Sequence, residues 1–143
     1  MKRFLVVFMA FWMLGCASQE TFTLWQLESQ VDTIGNSYVI RTAGGKLIVM
    51  DGGMAVEKDY LRGFIDALGG EVSAWIVSHP HDDHISALVA LLENPNGLKI
   101  EKIYHSRFTE ELIVSESDEA AAITRKFYSL LDNATDIEVV DCH

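Results

Sequence analysis

Three of the chain's five histidines fall within six residues, in the run His79-Pro80-His81-Asp82-Asp83-His84. Imidazole and carboxylate groups are the ligands that zinc and related divalent cations prefer, and nothing in packing calls for three histidines so close together. Residues 72–78, just before the run, read as a short strand containing Ala74-Trp75-Ile76-Val77. Extended geometry carried into the run projects His79 and His81 to one side, with Cα atoms about 6.5 Å apart, while Pro80 points away. Two rings so placed can converge on one ion. The chain must then turn into a helix beginning near Ile85, so Asp83 and His84 sit at a strand-to-helix junction and reach a neighbouring position. One loop thus offers two ligand pairs, which suits two ions about 3.5–4 Å apart. Asp82 is the exception in the run, and reads as a helix cap or a solvated carboxylate.

The elements that must position this loop are legible on both sides of it. Residues 21–27 read as a first strand, 36–41 as a second, and 46–50 as a third, with Ala43-Gly44-Gly45 as the turn of a hairpin. The unbroken apolar run 47–50 suggests a strand covered on both faces, ended by Asp51-Gly52-Gly53. Tyr60, Leu61, Phe64, Ile65 and Leu68 fall at helical spacing before Gly69-Gly70. Ile85, Leu88, Val89 and Leu92 mark a second helix, stopped by Asn94-Pro95-Asn96-Gly97. Residues 98–104 form a strand, and Ser117-Asp118-Glu119 opens a helix whose apolar face is Ile123, Phe127, Leu130 and Leu131. Residues 137–140 read as one more strand. A β-meander followed by alternating strands and helices predicts a layered α/β domain.

His79-x-His81-x-Asp83-His84 resembles the H-x-H-x-D-H motif of the metallo-β-lactamase superfamily, and the likeness continues upstream. Gly35-Asn36-Ser37-Tyr38-Val39-Ile40 and Leu47-Ile48-Val49-Met50-Asp51-Gly52-Gly53 are similar to that family's opening hairpin and its strand-ending aspartate-glycine turn. The resemblance covers roughly residues 22–105 and implies the N-terminal half of an αββα sandwich, with residues 21–143 as a partial domain. It implies that His79 and His81 bind a first metal, and that Asp83 and His84 bind a second. Asp83 would also act in catalysis. Asp51 would orient the histidine loop without being a ligand; a plain turn aspartate is the other reading.

The cofactor implied is a pair of Zn²⁺ ions, with Mn²⁺ or iron as substitutes. The activity implied is that of a metal-dependent hydrolase in which two cations activate water. Ile76-Val77-Ser78-His79-Pro80-His81, Asp83-His84-Ile85 and Lys99-Ile100-Glu101-Lys102-Ile103-Tyr104 look most like the competence-type (ComEC-like) branch, which favours a phosphodiester substrate over a lactam, lactone or thioester. The family also uses a third histidine for the first metal, a bridging aspartate and a final histidine. Here only His143 follows at a comparable distance, as a third ligand or as a plain chain end. His105 reads as a surface histidine, or as a residue lining the mouth of the site. With these ligands not in view, the sequence reads as cut, and the alternative to an enzyme is a non-catalytic metal-binding half-domain.

The chain opens Met1-Lys2-Arg3, continues with an apolar run over residues 4–14, and passes into Gly15-Cys16-Ala17-Ser18. A positive start, about 16 Å of apolar helix and small residues behind it describe a secretory signal peptide rather than a membrane span. Met13-Leu14-Gly15-Cys16 resembles a bacterial lipobox, which implies a signal over residues 1–15, lipidation of Cys16, a short linker over residues 16–20, and attachment to the outer face of a bacterial membrane. Cys142 would then be the remaining thiol, expected as a small buried residue on a strand. The formal net charge of −10, lowered by two more if Lys2 and Arg3 leave with the signal, argues against a nucleic-acid groove. Metal ions would offset some of that charge at the site itself.

Overall fold

The computed structural model describes residues 21–32 and 34–142. The expectations for residues 1–15, for Cys16, for the linker 16–20 and for His143 lie outside the described residues. Seven strands form one sheet: β1 (Thr23–Gln26), β2 (Ser37–Arg41), β3 (Leu47–Asp51), β4 (Glu71–Ile76), β5 (Lys99–Ile100), β6 (Lys102–His105) and β7 (Glu138–Asp141). Their order is β1-β2-β3-β4-β6-β7, with β5 paired to β4. The first three are antiparallel, and β3, β4, β6 and β7 run parallel. The helices are α1 (Lys58–Ala67), α2 (Asp82–Glu93), α3 (Glu110–Ser115) and α4 (Asp118–Asp132). The mixed α/β architecture expected from the alternation of elements is the one observed.

Register explains which strand residues are core. Trp25, Val39, Val49, Trp75, Ile103 and Val139 stand side by side across the sheet, each paired with the next. Val39, Val49, Trp75 and Ile103 are completely buried, together with Leu61 and Ile65 of α1, Ile85 and Leu88 of α2, and Phe127 of α4. Because side chains alternate along a strand, the opposite face carries the row Tyr38, Met50, Ile76, Tyr104 and Val140, all only half-buried. Among the described residues no helix is long and apolar enough to cross a membrane.

Several boundaries depart from the sequence reading for local physical reasons. The strand expected over 98–104 bends at Glu101, which splits it into β5 and β6, although the Glu101 amide still donates to the Val72 carbonyl at 2.9 Å. Helix α3 was not expected. It is one and a half turns long and buries only Ile113, so it leaves no periodic signature, and its start is set by the Thr109 side chain accepting from the Leu112 amide. The inner face of α4 is rotated from the expected one: Ala120, Ala121, Thr124, Phe127, Tyr128 and Leu131 are buried, while Ile123 and Leu130 lie at its edge. Cys142 lies just past β7 and is exposed, contrary to the buried place expected for it. Glu57, the residue just before α1, is a buried carboxylate that accepts from Ser29 Oγ at 2.7 Å, Gln30 N at 3.1 Å and Met54 N at 3.0 Å. Gly53 has φ +81, and a Cβ there would lie 2.3 Å from Glu57 Oε2, so this turn requires glycine.

His105 is neither at the surface nor at the mouth of a site. It is 2 % exposed, packed edge-on against Phe127 with ring centroids 5.8 Å apart, and its Nδ1 has no hydrogen-bond partner among the described residues. The reason is topological: β6 lies between β4 and β7, so the residue two after Ile103 shares its buried face. Burial lowers the His105 pKa below the ordinary value of 6.5; Arg107 acts in the same direction, while Asp141, the Ser106 backbone and Asp132 oppose it. The unfolded chain therefore binds the proton more readily than the native one. Native stability is full above pH 6.5 and is lost as the pH falls through the lowered folded value. Urea midpoints measured between pH 7.5 and 5 should decline in the wild type and decline less in His105→Leu; equal slopes would contradict this origin.

Candidate metal centre

The histidine run sits where β4 gives way to α2, beyond the carboxyl ends of the parallel strands. The Val77 amide still donates to the Tyr104 carbonyl at 2.8 Å, which keeps the chain extended up to the run. The helix then starts earlier than expected. His81 is its N-cap residue in extended conformation (ψ 153), and Asp82, Asp83 and His84 form the first turn. Asp82 is therefore not the N-cap; its Oδ1 accepts from the Asp83 amide at 2.9 Å. Two carboxylates in a first turn are favoured by the partial positive charge of a helix N-terminus. Neighbouring elements pin this turn. The Asn36 amide donates to the Asp83 carbonyl at 3.3 Å, and the Ala87 amide donates to the Gly53 carbonyl at 3.1 Å. Thr124 Oγ1 of α4 donates to the Pro80 carbonyl at 3.0 Å within the core.

The three imidazoles are gathered together. The His79 ring lies 4.0 Å from that of His84 and 4.5 Å from that of His81, centroid to centroid. Burial comes first, then the neighbouring His84 and His81, in lowering the His79 pKa below the usual imidazole value, with Asp51 and Asp83 opposing. That favours the neutral ring, the form able to act as a ligand.

Asp51 anchors the cluster from beneath. It ends β3 in the left-handed region (φ 57), a conformation that aspartate tolerates better than most residues. Its carboxylate is buried and accepts from the Ser78 amide and the Ser78 hydroxyl, both at 2.8 Å. His84 Nδ1 lies 2.9 Å from Asp51 Oδ2. These contacts assign protons. A neutral His84, whose Nδ1 faces Asp51 Oδ2 and lies 3.3 Å from Ser78 Oγ, carries its proton on Nδ1, which leaves a lone pair on Nε2. The single hydroxyl proton of Ser78 goes to Asp51, so Ser78 Oγ, 3.1 Å from His79 Nδ1, accepts from that nitrogen, and His79 Nε2 is left as the free acceptor.

The freed Nε2 of His84 lies 3.4 Å from Asp83 Oδ2. Two acceptors that close repel unless a proton or a cation stands between them. Two ligand atoms held about 2.0–2.1 Å from one tetrahedral ion are separated by about 3.3 Å. The spacing and chemistry of this pair therefore suit a divalent cation. Among the described residues no group of three or more His, Cys, Asp or Glu is drawn tightly enough to hold an ion. The donors present are pairs rather than a closed shell.

Ser78 and Glu116 are two contributors that sequence reasoning missed. Glu116 Oε1 stands 3.1 Å from His81 Nε2. Ser78 had the signal of adjacency to His79; Glu116 had none in the sequence.

A layered α/β sheet with a strand-to-helix loop carrying H-x-H-x-D-H, held by an aspartate at the end of the neighbouring strand β3, defines a class of protein. The family model for the metallo-β-lactamase superfamily matches residues 31–140, and the chain belongs to that superfamily. Among solved structures it is similar to the metallo-β-lactamase fold protein YhfI from Bacillus subtilis, at 18% identity and TM-score 0.47 over 80% of this chain and 41% of that one. A HARLDQ-motif mutant of a metallo-β-lactamase from Cronobacter sakazakii matches at 19% identity and TM-score 0.48, over 84% of this chain and 45% of that one. BJP-1, a subclass B3 metallo-β-lactamase of Bradyrhizobium japonicum, matches at 22% identity and TM-score 0.40, over 55% and 29%. The chain thus spans less than half the length of each of these structures. No curated protein matches it.

Proposed function

We propose that this chain supplies the principal ligand loop of a metal-dependent hydrolase. The carrying observation is the pair His84 Nε2 and Asp83 Oδ2 at 3.4 Å, with the other nitrogen of His84 committed to Asp51. In this reading His79 and His81 hold one zinc ion, and Asp83 and His84 hold a second; manganese or iron can stand in. Bound ions of this kind bring the pKa of water into the neutral range and stabilise developing negative charge. The chain's own residues do the rest. Asp51 and Ser78 fix which nitrogens of His84 and His79 carry protons, and Asp83 places a carboxylate at the ligand pair where it can accept a proton. His143 remains a candidate further ligand.

The likeness of residues 76–85 to the competence-type branch favours a phosphodiester substrate, with lactam, lactone and thioester as alternatives. A second reading starts from the donors in hand, which are pairs drawn from one loop. On that reading the chain binds metal and does not turn over substrate. The discriminating experiment assays the full chain and its Asp83→Ala variant on phosphodiester, lactam, lactone and thioester substrates with added Zn²⁺ or Mn²⁺. Phosphodiester hydrolysis, lowered at least about 100-fold by Asp83→Ala, the scale of losing a catalytic group, would support the hydrolase reading for this chain alone. Metal uptake without turnover on any substrate would favour the non-catalytic reading.

A further inference from the structure

His79 and His84 each have one nitrogen against the Asp51–Ser78 group, whereas one nitrogen of His81 meets Glu116 instead. The His81 side chain is the most exposed of the salt-bridged histidines at the site, at 41 %, and its Nε2 lies 3.1 Å from Glu116 Oε1. Glu116 is held in place for this contact. It follows α3 and precedes Ser117, whose side chain caps α4 by accepting from the Ala120 amide. The Glu116 amide donates to the Ile113 carbonyl at 3.2 Å. The same region grips the histidine loop twice more. Thr124 bonds the Pro80 carbonyl, and Phe108 meets the His81 ring edge-on at 5.1 Å. No hydrogen bond to a described residue occupies His81 Nδ1.

We infer that Glu116 is a positioning residue for His81: its carboxylate accepts the Nε2–H, fixes the ring against Phe108, and leaves Nδ1 as the nitrogen presented to a divalent cation. The inference rests on the metal reading given above. The physical logic is that of a carboxylate–histidine–metal relay, in which the outer carboxylate sets ring orientation and raises the ligand's basicity. It also gives the α3–α4 corner a task beyond packing, since His81 would otherwise be free to rotate about its side-chain bonds. Glu116 would be a ligand itself only if Nε2 rather than Nδ1 met the ion.

The test uses the full chain labelled with ¹⁵N-histidine, as wild type, Glu116→Gln and Glu116→Ala. Each is examined by imidazole nitrogen spectra with and without zinc, and by zinc titration. In the wild type the His81 Nε2 proton should be protected from exchange, and zinc should shift Nδ1. Glu116→Gln, whose amide oxygen still accepts, should keep the protected proton and most of the affinity. Glu116→Ala should lose the protection and weaken zinc binding about 10–100-fold, the usual scale for removing such a partner. Zinc on Nε2, with Gln as damaging as Ala, would make Glu116 a ligand and overturn the inference. So would an Ala variant indistinguishable from wild type. A wild type that takes up no zinc would sink the metal reading alone, because the zinc-free spectra still decide whether Glu116 holds the Nε2 proton.

Discussion

Replacing Asp51 with alanine will destabilise the metal-free protein by about 3 kcal/mol or more, the scale of hydrogen bonds to a charged group lost from a buried place. Asp51 is 2 % exposed, and its carboxylate accepts from Ser78 N and Ser78 Oγ and lies 2.9 Å from His84 Nδ1. Removing it leaves the Ser78 amide and His84 without that partner, at the point where β4 gives way to α2. Alanine is also disfavoured at φ 57, where aspartate and asparagine are better tolerated. Asp51→Asn separates the two effects. It keeps the backbone preference and one acceptor oxygen but presents an amide group to donors, so it should be less destabilised than Asp51→Ala. Both variants should bind zinc at least about 10-fold more weakly, because His84 loses the carboxylate that orients it. Urea unfolding and zinc titration on the three proteins measure both effects. An Asp51→Ala protein with the wild-type midpoint would show that the buried carboxylate does not hold this junction.

Much of the site was legible because it is contiguous. Six residues carry the three histidines and both aspartates, and a single strand-to-helix transition is enough to aim them. The strands and the longer helices were legible for the same reason, since alternation and 3.6-residue spacing are local signals. What escaped depends on distant partners. Asp51 was recognisable as a strand-ending aspartate, but its bonds to Ser78 and His84 span 27 and 33 residues and follow from β3 and β4 lying side by side. Glu116 sits in a polar turn after a helix too short to show periodicity, and only the docking of that turn brings it to His81. Thr124 gives no sign in the sequence of facing inward, because a polar residue does not advertise an inner helix face; its hydroxyl turns inward to meet the Pro80 carbonyl. His105 had a usable signal, because it shares strand parity with the buried Ile103. Histidine at a strand end reads as a surface residue until the strand is known to be interior.

The second large effect falls on the loop itself. His79 and His81 together form the expected pair for one ion, and His79 lies against His84, which is set toward the other. Removing both imidazoles from the loop deletes one pair outright and takes away the ring beside the second. Asp51 and its bonds to Ser78 remain, so the fold should survive, with a circular dichroism spectrum like that of the wild type. Zinc binding should not. Affinity in the wild type should also fall on acidification, because protonated imidazoles cannot ligate.

The measurement is zinc content per folded chain, after chelation, reloading and dialysis, for the wild type and for His79→Ala/His81→Ala side by side at neutral pH. The wild type is expected to retain zinc in stoichiometric amount and the double variant to retain little or none. Equal zinc in the two proteins, both folded, would contradict the assignment of this loop as a metal site.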